Sequence, residues 1–239
     1  MKMAQFTPEK FLDFVENYDK ANSKHRESML EFAQKTQVLD ASLFSDEANW
    51  VRVYRTKAQV VPSQLNLNVP FFDQKDNGPE GWRECQSSSI AMCLAFLGIG
   101  GIKDDTTYVN IVKRYGDTTE RQPHYDAMKQ LGYTGASFSK NLSIAQIKAE
   151  LNKQKPVAVG ALHHGSVSNP SGGGHFVVIR GYNEKGWFVN DPYGELDLKN
   201  GGWGRRAMGA GKNLLYSYTN FNPRIFVPSD GHCWGWTFS

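Results

Sequence analysis

The chain has 239 residues, 40% of them hydrophobic and 21% charged, with a formal net charge of +3. That is the composition of an ordinary globular protein, with room for one large domain or a domain plus a small appendage. No apolar run approaches the ~20 residues of a membrane helix, so no stable membrane insertion is expected, and the charge is too small to argue for nucleic acid.

Met1-Lys2-Met3-Ala4-Gln5 leads into charged residues rather than an apolar secretion core. This predicts cytoplasmic synthesis without a signal peptide. Residues 1–60 read as a helical segment or small module. Thr7-Pro8-Glu9 offers a capping hydroxyl, a proline suited to the first turn and an acid near the positive end of the dipole. Phe11, Phe14, Val15 and Tyr18 then form one apolar stripe, and Met29, Phe32 and Ala33 a second. The remainder, 61–239, is expected to be the main domain.

Gln59-Val60-Val61-Pro62-Ser63 reads as a linker or edge strand, and Leu65 to Pro70 alternates like a strand. Lys75 to Gly81 is dense in turn residues, so a loop leads into Cys85. Ser87 to Leu97 follows as a buried helix. A short helix is expected from Asp126 to Leu131, ended by Gly132. Ser143 with Gln146 makes a capping box for a helix running to Lys153. Strands are predicted at Val157–Leu162, from His175 onward, and from Gly186 to Asp191. Helices first, then strands joined by short turns, define an α+β protein with an antiparallel sheet.

The three cysteines, Cys85, Cys93 and Cys233, are an odd number and include no Cys-x-x-Cys pair. That leaves a free thiol and no zinc knuckle. Cys85 and Cys93 on one helix would sit ~12 Å apart, too far for a disulfide. At a helix start, unpaired N–H groups and the dipole favour a thiolate, drawing the pKa from ~8.5 toward ~3.5–7.5. His175 follows three glycines and opens the apolar run Phe176-Val177-Val178-Ile179, where a strand would anchor an accessible base. Asp191 precedes Pro192 at the end of the next strand. Neighbouring strand residues point to opposite faces, so only one of Asn190 and Asp191 can orient the histidine. A carboxylate stabilises the imidazolium, which favours Asp191, although asparagine serves in some cysteine peptidases. A side-chain amide at Gln74 could join the Cys85 N–H in holding an oxyanion. Nucleophile, base and orienter are the parts of thiol-based acyl transfer, which requires no cofactor and no metal.

Four segments together resemble the papain-like cysteine peptidases, in the branch similar to the double-glycine leader peptidases of bacteriocin exporters. They are Val69-Pro70-Phe71-Phe72-Asp73-Gln74, the Cys85 helix with Ser87-Ser88-Ser89-Ile90-Ala91-Met92, Gly174 to Ile179, and Asn190-Asp191-Pro192. The resemblance covers residues 65–195 and implies a papain-like fold. It implies Cys85 as nucleophile, His175 as base, Asp191 as orienter and Gln74 as the oxyanion glutamine. One departure is Gln86, where the family usually has glycine. No exporter segments are attached in this sequence, and free-standing relatives include bacteriophage endolysins that cut peptide or amide bonds of peptidoglycan. The expectation is therefore a monomeric peptidoglycan hydrolase acting on the cell wall.

Other readings stay open. A cytoplasmic protein-processing peptidase would use the same site, and a non-catalytic relative would keep only the fold. A metal-dependent amidase could draw on His163, His164, His175, His232 and Cys233, but adjacent histidines on a strand point apart. Gly209-Ala210-Gly211-Lys212 fails as a phosphate loop because Arg206 and Asn213 replace required residues. The C-terminal part is basic, with Lys199, Arg205, Arg206, Lys212 and Arg224 against Asp230. Its aromatics, Trp203, Tyr216, Tyr218, Phe221, Phe226, Trp234 and Trp236, are expected to finish a β-core, with glycan binding as the alternative.

Overall fold

The computed structural model describes residues 62–226 and 233–239. The expected N-terminal helices, the 59–61 end of the linker, and His232 lie outside the described residues.

Among the described residues, seven strands form one antiparallel sheet. They are β1 (Leu65–Asn66), β2 (Ala136–Leu142), β3 (Val157–Ala161), β4 (His175–Tyr182), β5 (Gly186–Asn190), β8 (Leu214–Ser217) and β9 (Cys233–Phe238). The order is β2-β9-β3-β4-β5-β8, with β1 pairing to the far end of β4. A separate hairpin joins β6 (Glu195–Leu196) to β7 (Trp203–Arg205). Central β3 and β4 are buried along their whole length, which explains the apolar runs Val157–Ala161 and Phe176–Ile179. The expected strand over 65–70 shortens to two residues, although the Leu67 N–H still donates to the Arg180 carbonyl.

The described residues form five helices: α1 (Cys85–Phe96), α2 (Asp105–Val112), α3 (Arg121–Gln130), α4 (Ile144–Asn152) and α5 (Tyr218–Ile225). α1 is buried from Gln86 to Leu94, and its small residues Ser87, Ser88, Ser89 and Ala91 let it lie close to β4 and β3. The Ser143–Gln146 capping box forms with both of its hydrogen bonds. Several elements were not legible in the sequence, including β6, β7, β8 and α5, which puts Tyr218 and Phe221 on a helix rather than in the expected β-core; α2 and β2 show why. α2 is rich in β-branched residues and depends on the Asp104 cap, whose carboxylate accepts the Thr107 N–H at 2.7 Å. β2 is a mostly polar edge strand that pairs with β9. α3 begins earlier than expected because Pro123 sits in its first turn, where a missing N–H costs nothing. Tyr216, Phe221, Trp236 and Phe238 join the core, whereas Trp203 and Trp234 remain partly exposed. Among the described residues, no helix is long and apolar enough to cross a membrane.

Candidate active site

Cys85 is the first residue of α1, reached through two short 3-10 turns, Gln74–Asp76 and Gly81–Arg83. Those turns hold each other. Gln74 Nε2 donates to the Gly81 carbonyl at 2.7 Å, and a β-carbon on residue 81 would overlap the Gln74 carbonyl oxygen. The loop is also tied to the strand ends, since the Gln74 N–H donates to the Pro192 carbonyl at 2.9 Å. On the other side Asn77 Nδ2 donates to Asp105 Oδ2 at 2.9 Å, and the Ser88 hydroxyl donates to the same oxygen. Glu84, fully buried before Cys85, pairs with Lys113 Nζ at 2.6 Å. The thiol therefore starts its helix on a braced loop.

His175 opens β4, paired with Ala161 of β3. The β4–β5 register pairs Val178 with Asn190 and Ile179 with Val189. Continued by one residue, it sets Asp191 across from Val177, on the face that His175 shares, as its diagonal neighbour. His175 Nε2 accordingly lies 2.7 Å from Asp191 Oδ1. Asn190 faces the other way, donating to the Val69 and Pro70 carbonyls at 3.2 and 3.3 Å and accepting from the Asn213 N–H. Of the two candidates, Asp191 is the one that meets the histidine.

Cys85 and His175 line the same cleft, and His175 and the Phe176 backbone are the groups that favour the thiolate. Withdrawal from water opposes ionisation of the thiol. The hydrogen bond and charge of His175 and the Phe176 N–H outweigh it, so the Cys85 pKa falls below its ordinary value. For His175, burial works against the charged form, but the Asp191 carboxylate and the Cys85 sulfur push the imidazole up to about 10. Both shifts favour a thiolate–imidazolium pair.

These groups open on a cleft of about 370 Å³ lined by Trp82, Gln86, Thr119, His163, Tyr193 and Trp203 among others. The Trp203 and His175 rings meet edge to face at 4.8 Å, and Tyr193 packs on Trp203 at 4.6 Å. Trp82 stands 67% exposed at the rim. Gln86, in place of the family's glycine, is buried in the cleft wall, with Nε2 3.4 Å from the Glu120 carbonyl. Gln74 is buried behind the loop, and among the described residues its Oε1 has no hydrogen-bond partner.

The sequence reading of His163 and His164 needs correction. β3 ends at Ala161, so both histidines lie beyond the strand and its alternation no longer applies. Their rings come together at 4.0 Å, and His163 lies 6.1 Å from His175. Among the described residues, no three His, Cys, Asp or Glu side chains converge as a metal site. Cys233 and Cys93 are buried and their thiols are pushed up by desolvation, so neither competes with Cys85 for ionisation. Sequence reasoning missed Tyr193 and the contact of Tyr216 with Asp191, and it placed Trp203 in the core. None of these carries a local motif, and each depends on how β5, β7 and β8 come together.

An α+β fold with a cysteine at a helix start facing a histidine–carboxylate pair on a sheet defines a papain-like cysteine peptidase. Residues 66–221 match the Peptidase_C39 like family, and the chain belongs to it. A crystal structure of a C39-like peptidase from Bacillus anthracis is similar in fold, with a TM-score of 0.50 and 16% sequence identity. That match covers 74% of this chain and 97% of the other. No curated protein matches the sequence.

Proposed function

We propose that this cysteine peptidase hydrolyses peptide or amide bonds of bacterial peptidoglycan, as endolysins do, with Cys85, His175 and Asp191 as its catalytic set. The observation that carries the chemistry is the His175 Nε2–Asp191 Oδ1 contact at 2.7 Å, with His175 and Cys85 lining one open cleft. The thiolate attacks the carbonyl carbon, and the oxyanion draws on the Cys85 N–H. The C–N bond breaks as the His175 imidazolium gives its proton to the departing amine, leaving a thioester. Water then attacks the thioester while neutral His175 takes its proton, and the thiolate departs.

The wall assignment draws support from the exposed Trp82 indole and the Trp203–Tyr193 wall, flat surfaces suited to a stem peptide beside sugar. Exposed Lys199, Arg205, Arg206 and Lys212 suit an anionic wall surface. In this reading the protein is made in the cytoplasm, acts on the wall and works as a monomer. A second reading has its own observation: a groove of about 530 Å³ over Glu120, Arg121, Gln122, Tyr125 and Phe138 adjoins the cleft at Thr119. It could seat an extended polypeptide, as a protein-processing peptidase would require.

The test is release of free amines and of reducing sugars from purified peptidoglycan by wild type, Cys85→Ala and EDTA-treated protein. Amine release without new reducing ends, abolished in Cys85→Ala and indifferent to EDTA, is expected. Activity that survives Cys85→Ala but not EDTA would sink the thiol mechanism. An inert response to wall with cleavage of unfolded polypeptide would select the second reading.

A further inference from the structure

The Asp191 carboxylate is fully buried, and its two oxygens are held differently. Oδ1 faces His175 Nε2 at 2.7 Å and also takes the Tyr193 and Gly194 N–H groups at 3.1 and 3.4 Å. Among the described residues, Oδ2 is bonded by the Tyr216 hydroxyl, at 3.1 Å. That hydroxyl also accepts the Leu196 N–H at 2.8 Å. A phenol carries one proton, so the amide arriving at its lone pair commits that proton to Asp191. Tyr216 comes from β8, held against β5 by the Trp187–Tyr216 pairing, and its ring packs on Phe221 at 4.9 Å. The donor is rigidly mounted.

We infer that Tyr216 is a positioning residue for the reaction: its hydroxyl locks the carboxylate plane of Asp191 so that Oδ1 faces His175, and offsets part of the buried charge. The inference rests on the thiol mechanism proposed above. Burial pushes the Tyr216 hydroxyl well above its ordinary range, so it stays a neutral donor. Other groups facing this chain are Cys85 from α1, His163 from the loop after β3 and Glu195 from β6.

Removing the hydroxyl leaves Oδ2 a buried acceptor with no donor. Its less-offset negative charge then disfavours the nearby thiolate. That moves the acid limb of Cys85 reactivity to higher pH.

The experiment is the pH profile of Cys85 alkylation by iodoacetamide, with thermal unfolding as a control for folding. Tyr216→Phe is expected to shift the acid limb upward by about half to one pH unit and to slow alkylation severalfold on that limb. In an Asp191→Asn background, which has no carboxylate to lock, the same substitution should shift nothing further. Site-specific replacement of Tyr216 by 3-fluorotyrosine keeps the hydroxyl and makes it a stronger donor, so the limb should move down. This replacement also decides the matter if the phenylalanine variant fails to fold. A Tyr216→Phe profile superimposed on the wild-type one, or equal shifts with and without Asp191, would overturn the inference while leaving the thiol mechanism standing. An ordinary thiol profile in the wild-type protein would remove both.

Discussion

The Gln74 carbonyl oxygen occupies the space that a β-carbon of residue 81 would need, and the Gln74 side chain donates to the Gly81 carbonyl at 2.7 Å. The obstacle is backbone, which cannot swing aside as a flexible side chain could. Gly81→Ala must therefore spread the two 3-10 turns that lead into Cys85. The expected cost is about 1–3 kcal/mol of stability, with a loss of Cys85 alkylation rate beyond what the unfolded fraction explains. Urea unfolding followed by alkylation under native conditions measures both. Unchanged alkylation in a folded variant would show that the turns do not position the thiol.

The pH behaviour follows from the signs of two shifts. The Cys85 pKa is lowered, so its thiolate appears at lower pH than in a free cysteine. His175 is raised to about 10, so its imidazolium persists until the pH rises through that region. Hydrolysis requires both charged forms and should hold a plateau between the two limits. In His175→Ala the thiol loses its partner while staying withdrawn from water, and its acid limb should move up past its ordinary position. At pH 7 an unassisted thiol is only a few per cent ionised, though its higher basicity returns some nucleophilicity, so alkylation should slow by about tenfold. An unchanged limb in His175→Ala would mean that the helix start alone sustains the thiolate.

How far the sequence could be read differs from element to element. β3 and β4 were legible because full burial demands unbroken apolar runs, and α4 because Ser143 and Gln146 spell out its cap. Cys85, His175 and Asp191 stood in informative contexts: a turn-rich loop before small helical residues, glycines before an apolar strand, and a proline after a strand end. α2 was hidden because Thr106, Thr107, Val109 and Ile111 carry no helical preference, and its stability comes from packing on α1 and from the Asp104 cap. Tyr216 and Trp203 could not be assigned to the site from local pattern. The former depends on the β5–β8 register and the latter on a hairpin folded back over His175. The choice between Asn190 and Asp191 likewise needed the β4–β5 register, which one residue of slip would reverse.

Arg224 offers a stability prediction of a different kind. It is fully buried on α5 and donates to four carbonyls, those of Leu198, Leu162, His164 and Gly165, at 2.9–3.1 Å. Desolvation lowers its pKa, yet the fork of donors holds together the loop that carries His163 into the cleft. Arg224→Leu would leave those carbonyls without their donor, at an expected cost of about 3–5 kcal/mol. For a domain of this size that corresponds to roughly 6–20 °C in Tm. Arg224→Lys keeps the charge but not the planar fork and should fall between. Differential scanning calorimetry of the three proteins checks the order, and a Leu variant as stable as wild type would refute it.

Asn190 and Asp191 make the sharpest paired comparison, because they are adjacent, both fully buried and both polar. Asn190 ties Val69 and Pro70 to the sheet and takes the Asn213 N–H, without touching His175. Asn190→Ala leaves two carbonyls and an amide without that partner and should cost about 1–3 kcal/mol of stability. Its alkylation profile should keep the wild-type limbs, since no charge near the thiol has changed. Asp191→Ala removes the main group that raises His175, so the imidazolium should be lost at lower pH and the hydrolytic plateau should narrow from its alkaline side. Hydrolysis should fall by orders of magnitude there, while Asn190→Ala loses only what its folded fraction loses. The discriminating readout is the alkaline limb measured in both variants at a temperature where each is folded. A shift in Asn190→Ala with none in Asp191→Ala would reverse the assignment of the orienting residue.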